Sequence, residues 1–239
     1  MQALSVSLLL SIQPTNPSIP PPTPTPKEIL LSRTHSTLHF LIGIGLCLVT
    51  TYLLRPSHIV IAAIRRPDAL VSQTLESLPR GPGSTLIIVS IDSGSDMDAR
   101  TAISTLQTGI TKLDVVIANA GVSRYFGPAA ATPAEEMRAH FAINAVAPLL
   151  LFQATLPLLA AAGAMGHTPK FVTVSSGAGS IGSMGALKVE NTAYGASKAA
   201  LNFVTRKIHF ENEDIIAFAV NPGWLTTEVS DEFAEMQSL

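Results

Sequence analysis

The sequence predicts an α/β fold: a doubly wound parallel sheet in three layers, with helices on both faces. Short apolar runs alternate with helical stretches along most of the chain. The runs are continuously apolar, which is typical of strands buried on both faces of a sheet. The length of 239 residues is enough for one α/β domain with a large core.

The elements follow one another in a regular order. Strands are predicted at residues 58–64, 85–91, 113–118, 170–174 and 215–220, and helices at 98–112, 132–162 and 192–209. A turn at residues 65–68 leads into a further helix. Thr132 and Pro133 mark a helix start, since threonine is a common cap and proline favours the first helical position. The alternation predicts parallel strands joined by helices.

The first forty residues differ from the rest. Residues 14–26 hold seven of the 17 prolines, a composition that favours extended or disordered chain. We therefore predict a disordered segment over 1–37 and a folded domain over 38–239. Its first strand is hard to place, because residues 29–31 are a poor candidate. Residues 40–54 are apolar but short for a membrane span, so a membrane tether is the less favoured interpretation.

Composition excludes several classes of function. The net charge of −2 gives no sign of a nucleic-acid partner. The single cysteine, Cys47, cannot form an internal disulfide, which favours the cytoplasm, and we expect it to be a small core residue. The six histidines are scattered without ligand spacing, so no metal site is predicted.

Tyr194 and Lys198 form a Y-x-x-x-K pattern in the predicted helix 192–209. Residues four apart project from the same face of a helix. A nearby ammonium favours the phenolate and lowers the pKa of a tyrosine, which suits proton transfer to and from carbonyl and alcohol oxygens.

Polar and glycine residues also gather where predicted strands end, which is where open α/β sheets bind ligands. They form the stretches Asn119-Ala120-Gly121, Ser175-Ser176-Gly177 and Asn221-Pro222-Gly223, with Asn144 in the helix between the first two.

This order of motifs resembles the short-chain dehydrogenase/reductase family over roughly residues 43–229. Residues 52–56, 61–67 and 175–182 are similar to the fungal norsolorinic acid ketoreductase-like and sniffer-type carbonyl reductases. The resemblance implies a Rossmann-like fold and an NADP-dependent oxidoreductase that reduces a ketone or aldehyde, with an aromatic or polyketide ketone of secondary metabolism as one candidate substrate.

The resemblance assigns four catalytic roles. Tyr194 would donate a proton to the substrate oxygen, and Lys198 would lower the pKa of Tyr194 and bind the nicotinamide ribose. Ser176 would hydrogen-bond the substrate oxygen, with Ser175 as the alternative. Asn144 would hold a water that links Lys198 to solvent, or else would be a buried asparagine that satisfies backbone groups.

The resemblance also assigns cofactor-binding residues. Gly43, Ile44 and Gly45 match the end of the family's phosphate-binding turn, although Leu38 and His39 stand where that turn has threonine and glycine. The resemblance makes residues 40–54 the buried helix that follows this turn. Asp92 would meet the adenine amine (or be an ordinary turn aspartate), and Asn119, Ala120 and Gly121 would border the adenosine and ribose side (or form a plain strand-to-loop turn). Pro222 and Gly223 would lie near the nicotinamide, with Thr227 at its carboxamide or at the phosphates, and Tyr194 and Lys198 would also contact the cofactor.

Arg65 and Arg66 follow the second predicted strand, and no acidic residue stands there before Asp68. An arginine at this point can bind a ribose 2′-phosphate, whereas an acidic residue would bind the ribose hydroxyls. NADP is therefore expected rather than NAD. A homodimer or homotetramer is expected from the resemblance. Compared with the family pattern, the domain is expected to lack a regular first strand and the last strand. The alternative function is therefore a catalytically inactive paralogue or a truncated gene product.

Overall fold

The structure is a computed structural model that describes residues 6–12, 43–186 and 189–223. Its strands are β1 (Val6–Ile12), β2 (His58–Ile64), β3 (Thr85–Ser90), β4 (Val115–Ala118), β5 (Lys170–Val174) and β6 (Ile216–Val220). Its helices are α1 (Ile44–Leu53), α2 (Ala69–Glu76), α3 (Asp98–Leu106), α4 (Ala134–Phe141), α5 (Ala147–Ala164) and α6 (Thr192–Glu211). A π-helical turn, Ala142–Val146, joins α4 to α5.

The strands form one sheet in the order β3-β2-β1-β4-β5-β6, with a hydrophobic core on each face. One core packs α3, α5 and α6 on the sheet, around residues such as Ile103, Leu159 and Phe171. The other packs α1 and α2, with Leu53 and Leu75 at its centre. The predicted three-layer, doubly wound Rossmann-like fold is confirmed.

One central strand departs from the prediction. β1 lies between β2 and β4 and is antiparallel to both, with Val6 opposite Ile64 and Leu9 opposite Val116. The prediction of a disordered segment over 1–37 is therefore wrong for residues 6–12, and the sheet is parallel only in its other pairs. A short apolar run can pair with its neighbours in either direction, so its sequence did not reveal its orientation.

Two predictions about the ends of the domain have different outcomes. The position of the first strand is filled, but by a strand of reversed direction that precedes the proline-rich stretch. The predicted absence of the last strand concerns residues after 223, which lie outside the described part of the chain. Residues 29–31 and Thr227 also lie outside it.

The remaining elements follow the prediction with small shifts. α3 ends at Leu106, not near residue 112, because residues 107–109 form a turn in which the Gly109 amide donates to the Leu106 carbonyl. Asp68 caps α2 by accepting from the Val71 amide at 2.9 Å. Cys47 is exposed on α1 and is not the core residue that was expected.

The loops that follow β2 to β6 share one edge of the sheet, because these five strands run in the same direction. Helix α1 is joined to the start of β2 by residues 54–57 only. It therefore ends at the opposite edge, and its first residue faces the edge at which those loops gather. β1 ends at the edge where β2 begins, since Ile12 pairs with His58.

Ala134–Ala164 is one helical stretch that is long and apolar enough to cross a membrane, by length and composition only. Its most apolar window is 44% buried within the molecule, and Phe152 makes an edge-on ring contact with Phe171 of β5 at 5.1 Å. Core helices of globular proteins share these properties, so the stretch is explained by its packing.

Candidate active site

Tyr194 and Lys198 lie one turn apart at the start of α6, as predicted. Lys198 is 4% exposed, and its Nζ donates to the Val174 carbonyl, the last of β5, at 2.8 Å. The same Nζ is 5.7 Å from the centre of the Tyr194 ring. The end of β5 thus fixes the amine beside the phenol.

Burial decides the ionisation of both groups. It lowers the pKa of the Lys198 amine to about 8 and raises the pKa of the Tyr194 phenol. A hydrogen bond from Ser176 opposes the rise at Tyr194. In the chain alone, desolvation outweighs this hydrogen bond, so the pKa of Tyr194 lies above its ordinary value. The lowering of that pKa by Lys198 stays a prediction. The phenol is neutral near pH 7 and holds a proton that it can donate.

The two serines after β5 have different partners. The Ser176 hydroxyl acts on the Tyr194 phenol and opposes the rise of its pKa, and its Oγ accepts from the Ala178 amide at 3.2 Å. Ser175 is buried and donates to Oδ1 of Asn202 at 2.6 Å. Ser176 therefore lies beside the phenol, whereas Ser175 ties the end of β5 to α6.

The loop that carries Ser176 is pressed against α6. A Cβ added to Gly179 would lie 2.7 Å from the Lys198 carbonyl carbon, so only glycine allows this approach. Asn202 holds the loop by donating to the Gly179 carbonyl at 3.2 Å. Sequence reasoning missed both residues. Asn202 could have been found, because it lies one turn beyond Lys198 on the same helix face.

Asn144 is completely buried in the π-helical turn. Its Oδ1 accepts from the Val122 amide at 2.8 Å, and its Nδ2 donates to the Val122 carbonyl and to Oγ of Ser197, each at 2.9 Å. The alternative noted from the sequence, an asparagine that satisfies backbone groups, thus describes its contacts. π-Helical turns inside α-helices often occur at functional sites.

The Asn119-Ala120-Gly121 stretch leaves β4 and meets the same site. A Cβ at Gly121 would lie 3.2 Å from Oδ1 of Asn144 and 3.4 Å from Nζ of Lys198. The structure therefore brings Gly121, Asn144, Lys198, Tyr194 and Ser176 together at the ends of β4 and β5.

Asp92 and Arg65 lie further along the same edge. Arg65 follows β2, is half-buried, and accepts from the Ser90 hydroxyl through its carbonyl at 3.2 Å. Asp92 follows β3 and closes a turn: its Oδ1 accepts from the Gly94 amide at 2.8 Å, and its own amide donates to Asp98. A hydrogen bond from Ser95, followed by one from the Asp92 backbone, holds the pKa of Asp98 below its usual value.

The remaining predicted positions lie where the described stretch 43–186 begins and where the stretch 189–223 ends. Gly43 is the N-cap of α1, followed by Ile44 and the buried Gly45, and a Cβ at Gly43 would have no atom within 4 Å. Pro222 and Gly223 follow β6, and Gly223 has a φ of 77°, which favours glycine. Among residues 43–186 and 189–223, no group of three or more His, Cys, Asp or Glu side chains could hold a metal ion.

Comparisons with known proteins agree with this geometry. The family model described as short chain dehydrogenase matches residues 41–238. The norsolorinic acid ketoreductase stcE of Emericella nidulans is 43% identical over 197 residues, which cover 81% of this chain and 73% of that protein. The norsolorinic acid ketoreductase of Aspergillus parasiticus is 39% identical, covering 81% of this chain and 71% of that protein.

Solved structures share the architecture. The NADPH-bound carbonyl reductase from chicken fatty liver superposes with a TM-score of 0.64 at 28% identity, covering 71% of this chain and 70% of that one. The carbonyl reductase Sniffer of D. melanogaster gives a TM-score of 0.57 at 24% identity, covering 66% and 76%, and is similar in fold.

Proposed function

Because the chain belongs to the short-chain dehydrogenase/reductase family, we propose that this oxidoreductase reduces a ketone or aldehyde with NADPH, with Tyr194 as the proton donor. The observation that carries the proposal is the meeting of Ser176, Tyr194 and Lys198 where β5 ends and α6 begins. A neutral phenol beside a hydroxyl and a buried amine is equipped to protonate an oxygen that gains negative charge.

The described residues at this edge of the sheet are suited to a dinucleotide cofactor. Gly121 lies so close to Lys198 that a Cβ there would displace neighbouring polar atoms. Glycine is the residue expected where the backbone borders a ligand. The open backbone at Gly43, with Ile44 and Gly45 in the first turn of α1, is suited to a phosphate at a helix N-terminus. When bound, the cofactor supplies the hydride.

The protein residues handle the proton. Tyr194 Oη gives its proton to the substrate oxygen, and the Ser176 hydroxyl hydrogen-bonds that oxygen and holds the phenol in place. Lys198, charged below about pH 8, stabilises the phenolate that remains. Asn144 joins this network through Ser197, whose hydroxyl donates to the Tyr194 carbonyl at 2.7 Å. We propose that a water held by Asn144 returns the proton from solvent.

We propose NADP rather than NAD because Arg65 follows β2 at the shared edge, where a cation can bind a 2′-phosphate. Asp92, Asn119 and Ala120 would line the adenosine side, and Pro222 and Gly223 the nicotinamide side. Two relatives named as norsolorinic acid ketoreductases support an aromatic polyketide ketone as the substrate. A cytoplasmic homodimer or homotetramer completes the proposal.

One observation favours a second candidate, a catalytically inactive paralogue. β1 ends at the edge opposite the start of α1, so β1 does not lead directly into the phosphate-binding turn at Gly43. A weakened phosphate site would leave the residues around Tyr194 without a cofactor.

Fluorescence titration of the purified full chain with NADPH and NADH separates the two candidates. The reductase proposal expects saturable NADPH binding, weaker NADH binding, and loss of both in Gly45→Asp, which places a carboxylate in the first turn of α1. NADPH oxidation is then followed with a panel of aromatic ketones. A folded wild-type chain that does not bind NADPH would favour the inactive paralogue.

A further inference from the structure

His140 is a completely buried histidine in the last turn of α4, one turn before Asn144. None of the roles proposed above involves it. It lies beside the loop that runs from Asn119 through Gly121 to Arg124 and borders Lys198. The hydrogen bonds of a buried imidazole beside this loop need to be explained.

Both ring nitrogens have main-chain partners. The Arg124 amide lies 3.3 Å from Nε2, and the Glu136 carbonyl lies 2.8 Å from Nδ1. A backbone N–H can only donate, so Nε2 must be the unprotonated nitrogen. Nδ1 therefore carries the proton and donates it to the Glu136 carbonyl. The two contacts together define one neutral tautomer.

The helical stretch Ala134–Ala164 holds the loop at three points. Asn144 exchanges two hydrogen bonds with Val122, and His140 accepts from the Arg124 amide. On the outside, Oε2 of Glu136 accepts from Nε of Arg124 at 3.2 Å and lies 3.6 Å from Nδ1 of His140. The ion pair between Arg124 and Glu136 is partly exposed, so it contributes little to the stability of the loop. We therefore attribute the loop position to the buried contacts of His140 and Asn144.

The loop position matters for the site because of Gly121. Its Cα lies so close to Asn144 and Lys198 that an added Cβ would be 3.2 Å and 3.4 Å from their side-chain polar atoms. We propose that His140 is a positioning residue: as the neutral Nδ1–H tautomer it fixes Arg124, and with Asn144 it fixes Gly121 against Lys198. Its effect on cofactor binding rests on the proposed function, whereas its effect on the loop does not.

Two substitutions separate the two nitrogens. The Gln side chain in His140→Gln can place an oxygen near the position of Nε2 and still accept from Arg124. The Asn side chain in His140→Asn can place an amide near Nδ1 and donate to Glu136, but it cannot reach Arg124. His58→Asn is the matched control, because His58 is also buried with Nδ1 2.8 Å from a backbone carbonyl, but at the opposite edge of the sheet.

The test combines ¹⁵N NMR of the histidine rings, amide hydrogen exchange and NADPH titration on the full chain. We expect the Nδ1–H tautomer at His140 in the wild type. In His140→Asn we expect about tenfold faster exchange of the Arg124 amide and about tenfold weaker NADPH binding. His140→Gln should change both by less than about twofold, and His58→Asn should change neither.

An Nε2–H tautomer in the wild type, or unchanged Arg124 exchange in His140→Asn, would overturn the inference. If His140→Asn does not fold, the tautomer and the exchange in His140→Gln decide: rapid Arg124 exchange there would also overturn it. Failure of NADPH to bind the wild type would remove the proposed function, while tautomer and exchange would still decide the role of His140 in the loop.

Discussion

At the scale of single residues, the site combines a buried amine and a buried phenol whose ionised forms are both disfavoured by desolvation. The Nζ of Lys198 donates to the Val174 carbonyl, and the side chain is almost wholly removed from water. Such a residue costs stability, since burying a charge is unfavourable. The chain keeps it where a phenol needs a cation nearby, which is the pattern expected of a functional group.

Replacing this amine should therefore stabilise the fold. Burial lowers the pKa of Lys198 from 10.5 to about 8, so below pH 8 the folded state holds a charge that the unfolded state holds more favourably. We expect Lys198→Met to raise the free energy of unfolding at pH 7 by about 1 to 3 kcal/mol and to abolish turnover. The gain should shrink as the pH rises from 8 toward 10.5.

Urea unfolding at pH 7 and pH 10 measures this difference. Lys207→Met is the control, because Lys207 is on the same helix but half-exposed and paired with Glu211, and we expect little change. A less stable Lys198→Met chain at pH 7 would show that the Val174 hydrogen bond outweighs the desolvation of the amine.

The two serines give a second residue-scale prediction. Ser176→Ala removes the hydroxyl beside Tyr194 and should lower kcat about a hundredfold with little effect on stability. Ser175→Ala removes the bond to Asn202 and should reduce the free energy of unfolding by about 1 kcal/mol or more while leaving most of kcat. Steady-state kinetics and urea unfolding of both variants test this, and exchanged effects would assign the role to Ser175.

At the scale of elements, the site depends on how closely loops approach α6. Spacing in the sequence located α6 and its Tyr194–Lys198 pair, because helix periodicity is local. It could not locate the contact between Gly179 and α6, since that contact joins residues distant in the chain. The position of His140 could not be predicted for the same reason, because its partner Arg124 lies on a loop with no periodic pattern.

The Gly179 contact can be tested directly. Gly179→Ala forces a Cβ to within 2.7 Å of the α6 backbone, so the loop with Ser176 must move. We expect about 1 to 3 kcal/mol of lost stability, as in other overpacked sites, and a lower kcat. Gly182→Ala is the control in the same loop, since a Cβ there meets no atom within 4 Å. Thermal unfolding and kinetics should separate the two variants, and equal behaviour would contradict the close contact.

At the scale of the whole molecule, the direction of β1 is the main difference from the expected fold. Strands β2 to β6 could be predicted because each is a continuous apolar run beside a helical stretch. The identity and direction of the central strand could not, because pairing with β2 and β4 depends on residues far along the chain. Residues 6–12 are apolar enough to fill that position. They were included in the predicted disordered segment because the proline-rich stretch follows them directly.

Cysteine cross-linking can measure this direction. The antiparallel register places Ser7 opposite Ala63 and Ser11 opposite Ile59. In a Cys47→Ser background, Ser7→Cys with Ala63→Cys should form a disulfide, since facing Cα atoms of antiparallel strands are about 4.5 to 5.5 Å apart. Ser11→Cys with Ala63→Cys should not, because Ser11 lies about 13 Å further along the strand. Mass spectrometry after mild oxidation reads the result, and the reverse outcome would mean a parallel β1.

The most direct measurement is the rate of NADPH-dependent reduction of an aromatic ketone by the wild-type chain and by Tyr194→Phe. Loss of the phenolic hydroxyl removes the proton donor and leaves the ring in place. We expect turnover in the wild type and a kcat lower by about 10² to 10⁴ in the variant, with NADPH affinity unchanged within about twofold. Equal rates in the two proteins would contradict Tyr194 as the proton donor, and NADPH binding without turnover of any ketone or aldehyde by the wild type would contradict the proposed reaction.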